Sequence, residues 1–249
     1  MTKRTSIVLL VACTAVMLTG GSLMASNMGF KLNLPLFAIT EEVPEGGNSS
    51  DGTNTIALPY NKQTGIVDAA TLGADIGGFD PNPNPAQPVI NIQRLNRDGN
   101  VLDFYDGGTR GGSVNFPLID GNGYRVRVNT HVDYIVVGSH DPSLPVTLYK
   151  IGSGVPEGGN STDGTNKYGY PYHSTAGDAA GLGAEIGGFD PNPNPAQPVI
   201  NIQRLNRDGN ILDFYDGGTR GGSVNFTLIP GDAYRVRVNT DVTFVPSHF

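Results

Sequence analysis

Twelve oxygen-bearing side chains, in two sets repeated along the chain, are the residues best suited to chemistry. Asp80, Asn82 and Asn84 alternate with proline and put a side-chain oxygen at every second position, as the first three ligands of a calcium loop do. Glu45, Asn48 and Asp51 lie in a second acidic, amide-rich stretch and could add further donors. The matching set is Glu157, Asn160, Asp163, Asp190, Asn192 and Asn194. Hard oxygen donors suit a hard divalent cation, so calcium is the candidate cofactor. The pattern is not that of an EF-hand. Counting from Asp80, the sixth place is Pro85, where a glycine is needed, and the twelfth is Asn91, where a bidentate carboxylate is needed. The alternative is that Asp, Asn and Pro build rigid turns without any ion.

Other chemistry finds little support. His131, His140, His173 and His248 are scattered without metal-ligand spacing. There is no Gly-x-Ser-x-Gly elbow, His-Glu-x-x-His pair or Cys-His arrangement. The Gly-rich runs Asp106–Gly112 and Asp216–Gly222 do not lead into a helix whose N-terminus could receive a phosphate, so they are expected to be flexible connections. Two Asp side chains meeting in space could still form a glycosidase-like pair. The expectation is nevertheless a protein that is not an enzyme.

The elements that must position these loops are set by an internal repeat. Val43–Asn54 returns at Val155–Asn166, 112 positions later, and Gly77–Phe116 returns 110 positions later with Val101/Ile211 as its single difference. Extending the match gives repeats of about 28–139 and 140–249. Each is large enough for its own core, and two beads in tandem are expected. Each repeat opens with an apolar strand, Leu32–Ile39 or Leu144–Ile151. Asp68 reads as the N-cap of a two-turn helix that Gly77-Gly78 stops. Pro88–Leu95 and Val101–Tyr105 flank Asp98-Gly99, a dipeptide suited to a tight hairpin. Val114–Ile119, Tyr124–Val128 and Val132–Val137 read as further strands. In the middle one Tyr124, Val126 and Val128 alternate with Arg125 and Arg127, which puts the arginines outside. The fold class is mainly β: two tandem homologous β-sandwich or barrel-like domains, each with one short helix.

Lys3 and Arg4, the apolar run Ile7–Leu18 and small residues near Ala25 form the layout of a secretory signal peptide over residues 1–25. Two alternatives are a lipobox at Leu10-Val11-Ala12-Cys13 and an uncleaved anchor over residues 6–25. Cys13 is the single cysteine, so no disulfide framework is available. Beyond residue 25 there are 14 basic and 23 acidic side chains, a net charge of −9. That balance argues against nucleic acid and against an anionic membrane as partners.

The strand Asn54–Tyr60, the Asp-Ala-Ala helix start, the hairpin, the Gly-rich turn, the aromatic-x-Val strand and the closing Val-x-Ser-His resemble a tandem-repeat secreted β-domain of prokaryotic extracellular filaments and surface structures. The resemblance implies secretion and modularity, and it brings no catalytic residues. The functional expectation is a structural subunit at or outside the cell surface that assembles with copies of itself into a filament, tube or surface layer. Exchange of the N-terminal strand, Gly29–Ile39, between subunits is one route to such a polymer. The alternative is an adhesin or carbohydrate-binding module with a polysaccharide partner. The chain has no Trp, which leaves Tyr60, Tyr105, Tyr170 and Tyr172 as stacking platforms for a sugar.

Overall fold

The computed structural model describes residues 30–44, 49–59, 61–62, 65–80, 87–96, 100–139, 143–156, 160–171, 174–190, 197–206 and 209–247. The signal segment 1–25 and the candidate ligands Glu45, Asn48, Asn82, Asn84, Glu157, Asn192 and Asn194 lie outside these residues, as do Tyr60 and Tyr172. The first repeat holds β1 (Phe30–Leu36), β2 (Thr53–Ala57), β3 (Asn61–Lys62), α1 (Ala69–Ile76), β4 (Val89–Leu95), β5 (Val101–Tyr105), β6 (Gly123–Val128) and β7 (Val132–Ser139). The second holds β8 (Val146–Leu148), β9 (Thr165–Gly169), α2 (Ala179–Ile186), β10 (Val199–Leu205), β11 (Ile211–Tyr215), β12 (Ala233–Val238) and β13 (Val242–Phe244). The protein is mainly β, as its short apolar alternations require.

Each repeat builds an antiparallel four-stranded sheet, in the order β2-β6-β4-β5 and β9-β12-β10-β11. A second layer, β1-β7-β3 in one copy and β8-β13 in the other, closes over the main sheet together with the helix. Each copy has its own core. In the first, Leu34 and Leu36 of β1 and Tyr134 and Val136 of β7 meet Ile92, Val126 and the helix residues Leu72 and Ile76. In the second, Leu148, Ile202, Val236 and Leu182 take the corresponding places. β1 therefore lies in its own repeat, beside β7.

The helix begins where the sequence places it. The Asp68 carboxylate accepts from the Thr71 N–H at 2.8 Å, and Asn115 secures the same turn by donating to Asp68 and accepting from the Ala70 N–H. Gly77 ends it at φ 140°, a conformation open to glycine. The expected strand over 114–119 is not regular. Its backbone is shared between two different neighbours: the Val114 N–H bonds to Phe104, while Phe116 accepts from Ala69 and Leu118 donates to Val67 at the helix entry. Phe116 and Leu118 still reach the core.

One buried side chain ties the two layers together. Asn54, with no exposed surface, accepts from the Phe37 N–H at 2.8 Å and donates to the Phe37 and Gly52 carbonyls at 3.0 Å. Asn166 does the same for Tyr149 and Gly164. Removing the amide strands backbone groups that have no water to replace it. Asn54→Ala is expected to cost about 2–4 kcal/mol in urea unfolding and to speed proteolysis around residues 37–40. Unchanged stability would show that β1 is held by its apolar contacts alone.

The two repeats, each with its own core, also touch one another. Lys31–Phe249 forms one compact unit, and the copies are joined by backbone hydrogen bonds. Ala57 N–H donates to Gly231 O at 2.7 Å, and its equivalent, Gly169 N–H, donates to Gly121 O at 2.8 Å. The contacts are reciprocal, as they would be about a two-fold axis. They also occupy edge N–H groups of β2 and β9 that would otherwise be open to other chains.

Candidate functional site

The expected calcium ligands that the structure describes are engaged locally. The Asp51 carboxylate accepts from the Thr53 N–H at 3.0 Å and lies 3.9 Å from Arg127 Nε. Asp163 repeats the turn, accepting from the Thr165 N–H at 2.9 Å. Asp80 and Asp190 bond through their backbone N–H to Val89 and Val199, and Asn160 forms an isolated bridge with Gly154. Among the described residues, no three His, Cys, Asp or Glu side chains gather into a metal-binding group.

The Gly-rich loops are more ordered than their composition suggests. Asp106 and Asp216 are fully buried at their base, and each accepts from the N–H and hydroxyl of the threonine three residues on. Burial pushes the Asp216 carboxyl up, but hydrogen bonds from Arg220, Ser223 and Thr219 outweigh it and hold the pKa at about 2. A buried carboxylate is thus the anchor around which the glycines turn.

Of the four tyrosines considered as sugar platforms, the two among the described residues, Tyr105 and Tyr170, are packed inward. Tyr170 is buried and donates to Ala176 O at 2.7 Å, and Tyr105 packs edge-on against Phe79 at 5.1 Å.

Where the repeats meet there are two grooves with equivalent linings. The first, about 340 Å³, is lined by Arg204, Leu205, Leu212, Ile229 and Tyr234 of the second repeat and by Thr55, Pro44 and β1 residues of the first. The second, about 160 Å³, is lined by the equivalents Arg94, Leu95, Leu102, Ile119 and Tyr124, with Pro156 and Lys167 from the other copy. Each wall is braced in the same way. Arg94 Nε donates to Asp103 at 2.9 Å, and its guanidinium lies 5.7 Å from the Phe116 ring centre. Arg204 pairs with Asp213 and lies over Phe226 at 5.8 Å. Tyr124 and Tyr234 each accept from a backbone N–H, of Ile119 at 2.5 Å and Ile229 at 2.7 Å. Burial raises both phenols, Tyr124 to about 12.

Lys167 distinguishes the second groove. It stands on β9 between Asn166 and the core residue Tyr168, so strand alternation turns it away from its own core and toward the first repeat. Only 8% of it is exposed, and its Nζ makes no hydrogen bond. Burial, then the positive charges of Arg125 and Arg235, lower the amine pKa to about 7. Arg235 is its register partner on β12, and Arg125 lies against Gly209 of the second repeat. These two arginines therefore line the junction between repeats, contrary to the expectation that this face points outward. The sequence did carry a signal. In two copies this similar, Thr55/Lys167, Asp120/Pro230 and Asn122/Asp232 are charge differences at and beside the grooves.

The outer surface is also duplicated. Of thirteen exposed large apolar residues among those described, twelve form six equivalent pairs, including Val101/Ile211, Val114/Val224 and Ile135/Val245. Val101 and Ile211 are on β5 and β11, the outer strands of the main sheets. Compared with known proteins, the chain matches no family model, no curated sequence and no solved structure.

Proposed function

We propose that this chain is an extracellular structural subunit that assembles with copies of itself into a filament, tube or surface layer. The observation that supports this reading is the pairing of the exposed apolar positions. Near-identity of the copies preserves surface as well as core, down to Val101/Ile211 on the outer strands. A patch that associates with its own kind, present twice on one molecule, gives each subunit two neighbours and so an open chain. The inward turn of Tyr105 and Tyr170 leaves less aromatic surface for stacking a sugar, which favours assembly over the carbohydrate-binding alternative. Calcium at the acidic loops and exchange of β1 between neighbours are two ways in which such a polymer would be strengthened.

Negative-stain microscopy of the purified chain, with calcium and then with chelator, tests the proposal. Ordered polymers are expected. Val101→Lys together with Ile211→Lys puts a charge on both outer strands and should reduce them to single particles, while either change alone should shorten them. Polymers that dissolve in chelator support calcium as well. Monodisperse particles of the unaltered chain in both conditions would overturn the assembly reading.

A further inference from the structure

The two grooves between the repeats share one framework and differ in charge. Where one has Thr55, Pro230 and Asp232, the other has Lys167, Asp120 beside its wall and Asn122, so the second gains a cation while its anion stands two residues earlier in the chain. The charged groups around Lys167 are mainly positive. Arg235 stands opposite it in the ladder, Arg125 is close enough to lower its pKa, and Arg94 is on the facing wall in its pair with Asp103. Asp120 adjoins that wall near Tyr124. The other walls are apolar, from Leu95, Leu102, Ile119 and Pro156, with the amides of Asn96 and Asn122 at the margin.

We propose that the groove over Lys167 is a binding site for a short-chain carboxylate. A buried amine without a hydrogen-bond partner, beside further cations, is a costly arrangement that an anion relieves. The carboxylate takes the ammonium, and its hydrocarbon part lies against the leucine, isoleucine and proline walls. Inorganic phosphate fits less well, because much of the lining is apolar and it includes no helix N-terminus. This site is independent of assembly: it lies within one chain and is complete without a neighbour.

The test is calorimetric titration of the purified chain with butyrate and, separately, with inorganic phosphate. The comparison variants are Lys167→Thr, which installs the residue of the other groove, and Asn122→Asp, which leaves Lys167 in place. Butyrate should bind the unaltered chain, with affinity at least about tenfold lower in K167T and severalfold lower in N122D. At pH 8 the free amine is largely neutral and the bound one charged, so butyrate should take up close to one proton, read from the dependence of the heat on buffer. Should K167T fail to fold, N122D and the proton uptake still decide the matter. Butyrate heats that K167T and N122D leave unchanged, or binding of phosphate but not butyrate, would overturn the proposal.

Discussion

Replacing Lys167 with methionine is expected to stabilise the protein at neutral pH by about 2–4 kcal/mol. The lysine stem fills space between the repeats and methionine keeps most of that packing, so what is lost is mainly the amine and its desolvation. In the folded protein the amine titrates at about 7, against an ordinary 10.5. Between these values the unfolded chain holds a proton that the folded chain has released. Stability of the unaltered protein should therefore rise with pH from about 7 to about 10.5, and the full penalty should apply below 7. Urea unfolding at pH 7 and near pH 10 measures both quantities. The gap between K167M and the parent should be large at the lower pH and nearly closed at the higher one. A gap that does not change with pH would mean that protonation of Lys167 is not its source. Few surface lysines would behave this way, because an exposed ammonium loses little hydration on folding.

The second large effect is expected where the repeats touch at their pseudo-two-fold. Ala57 and Gly169 are equivalent positions, and so are Gly123 and Ala233, and each residue faces its own counterpart. In both pairs one residue carries a Cβ and the other does not. A Cβ added to Gly123 would lie 2.6 Å from the Ala233 Cβ, and one added to Gly169 would lie 3.1 Å from the Ala57 Cβ. Carbon atoms prefer about 3.5–4.0 Å, so Ala against Ala at the first pair forces the sheets apart. Gly123 is an ordinary strand residue, so alanine there would by itself be mildly favourable. Gly123→Ala is nevertheless expected to lower stability by about 1–3 kcal/mol. Adding Ala233→Gly should restore it to within about 0.5 kcal/mol, since one Cβ is again present. Thermal unfolding of the two single variants and the double variant reads this directly. A double variant no better than Gly123→Ala would show that the contact at Ala233 is not what limits the junction.

Much of the fold was legible because its signals are local. The Asp68 cap and the Gly77 stop are satisfied within one helix, and β4 and β5 pair antiparallel as neighbouring strands, although the Asp98-Gly99 turn between them lies outside the described residues. Alternation over 124–128 marks the core face, because Val126 and Val128 have few other places to go. The segment 114–119 carries the same pattern, but its apolar residues alternate without a single neighbouring strand to pair with. Periodicity records which side chains are buried, while the ladder depends on which backbone lies alongside.

The site was less legible for the same reason. Arg125 and Arg127 were expected to face solvent because they alternate with core residues. Arg125, with the second repeat's Arg235, instead stands where the far side of the sheet meets the other repeat, and Arg127 is partly exposed. The expected ligands Asp51 and Asp163 close their own turns, a use that residue type shares with metal binding.

The sequence alone determined the repeat, the helix with its caps, the strand class and the internal partition into two cores, all of which follow from residue type and spacing within about a hundred residues. The tertiary structure decided how the two copies meet. These contacts across the pseudo-two-fold join positions 48 to 174 residues apart, Gly121 to Gly169, Gly123 to Ala233 and Ala57 to Gly231, and no local period encodes them. Burial of Lys167 is a consequence of that meeting. A lysine on a strand is ordinarily free to reach water, and only the approach of the first repeat removes the water from this one.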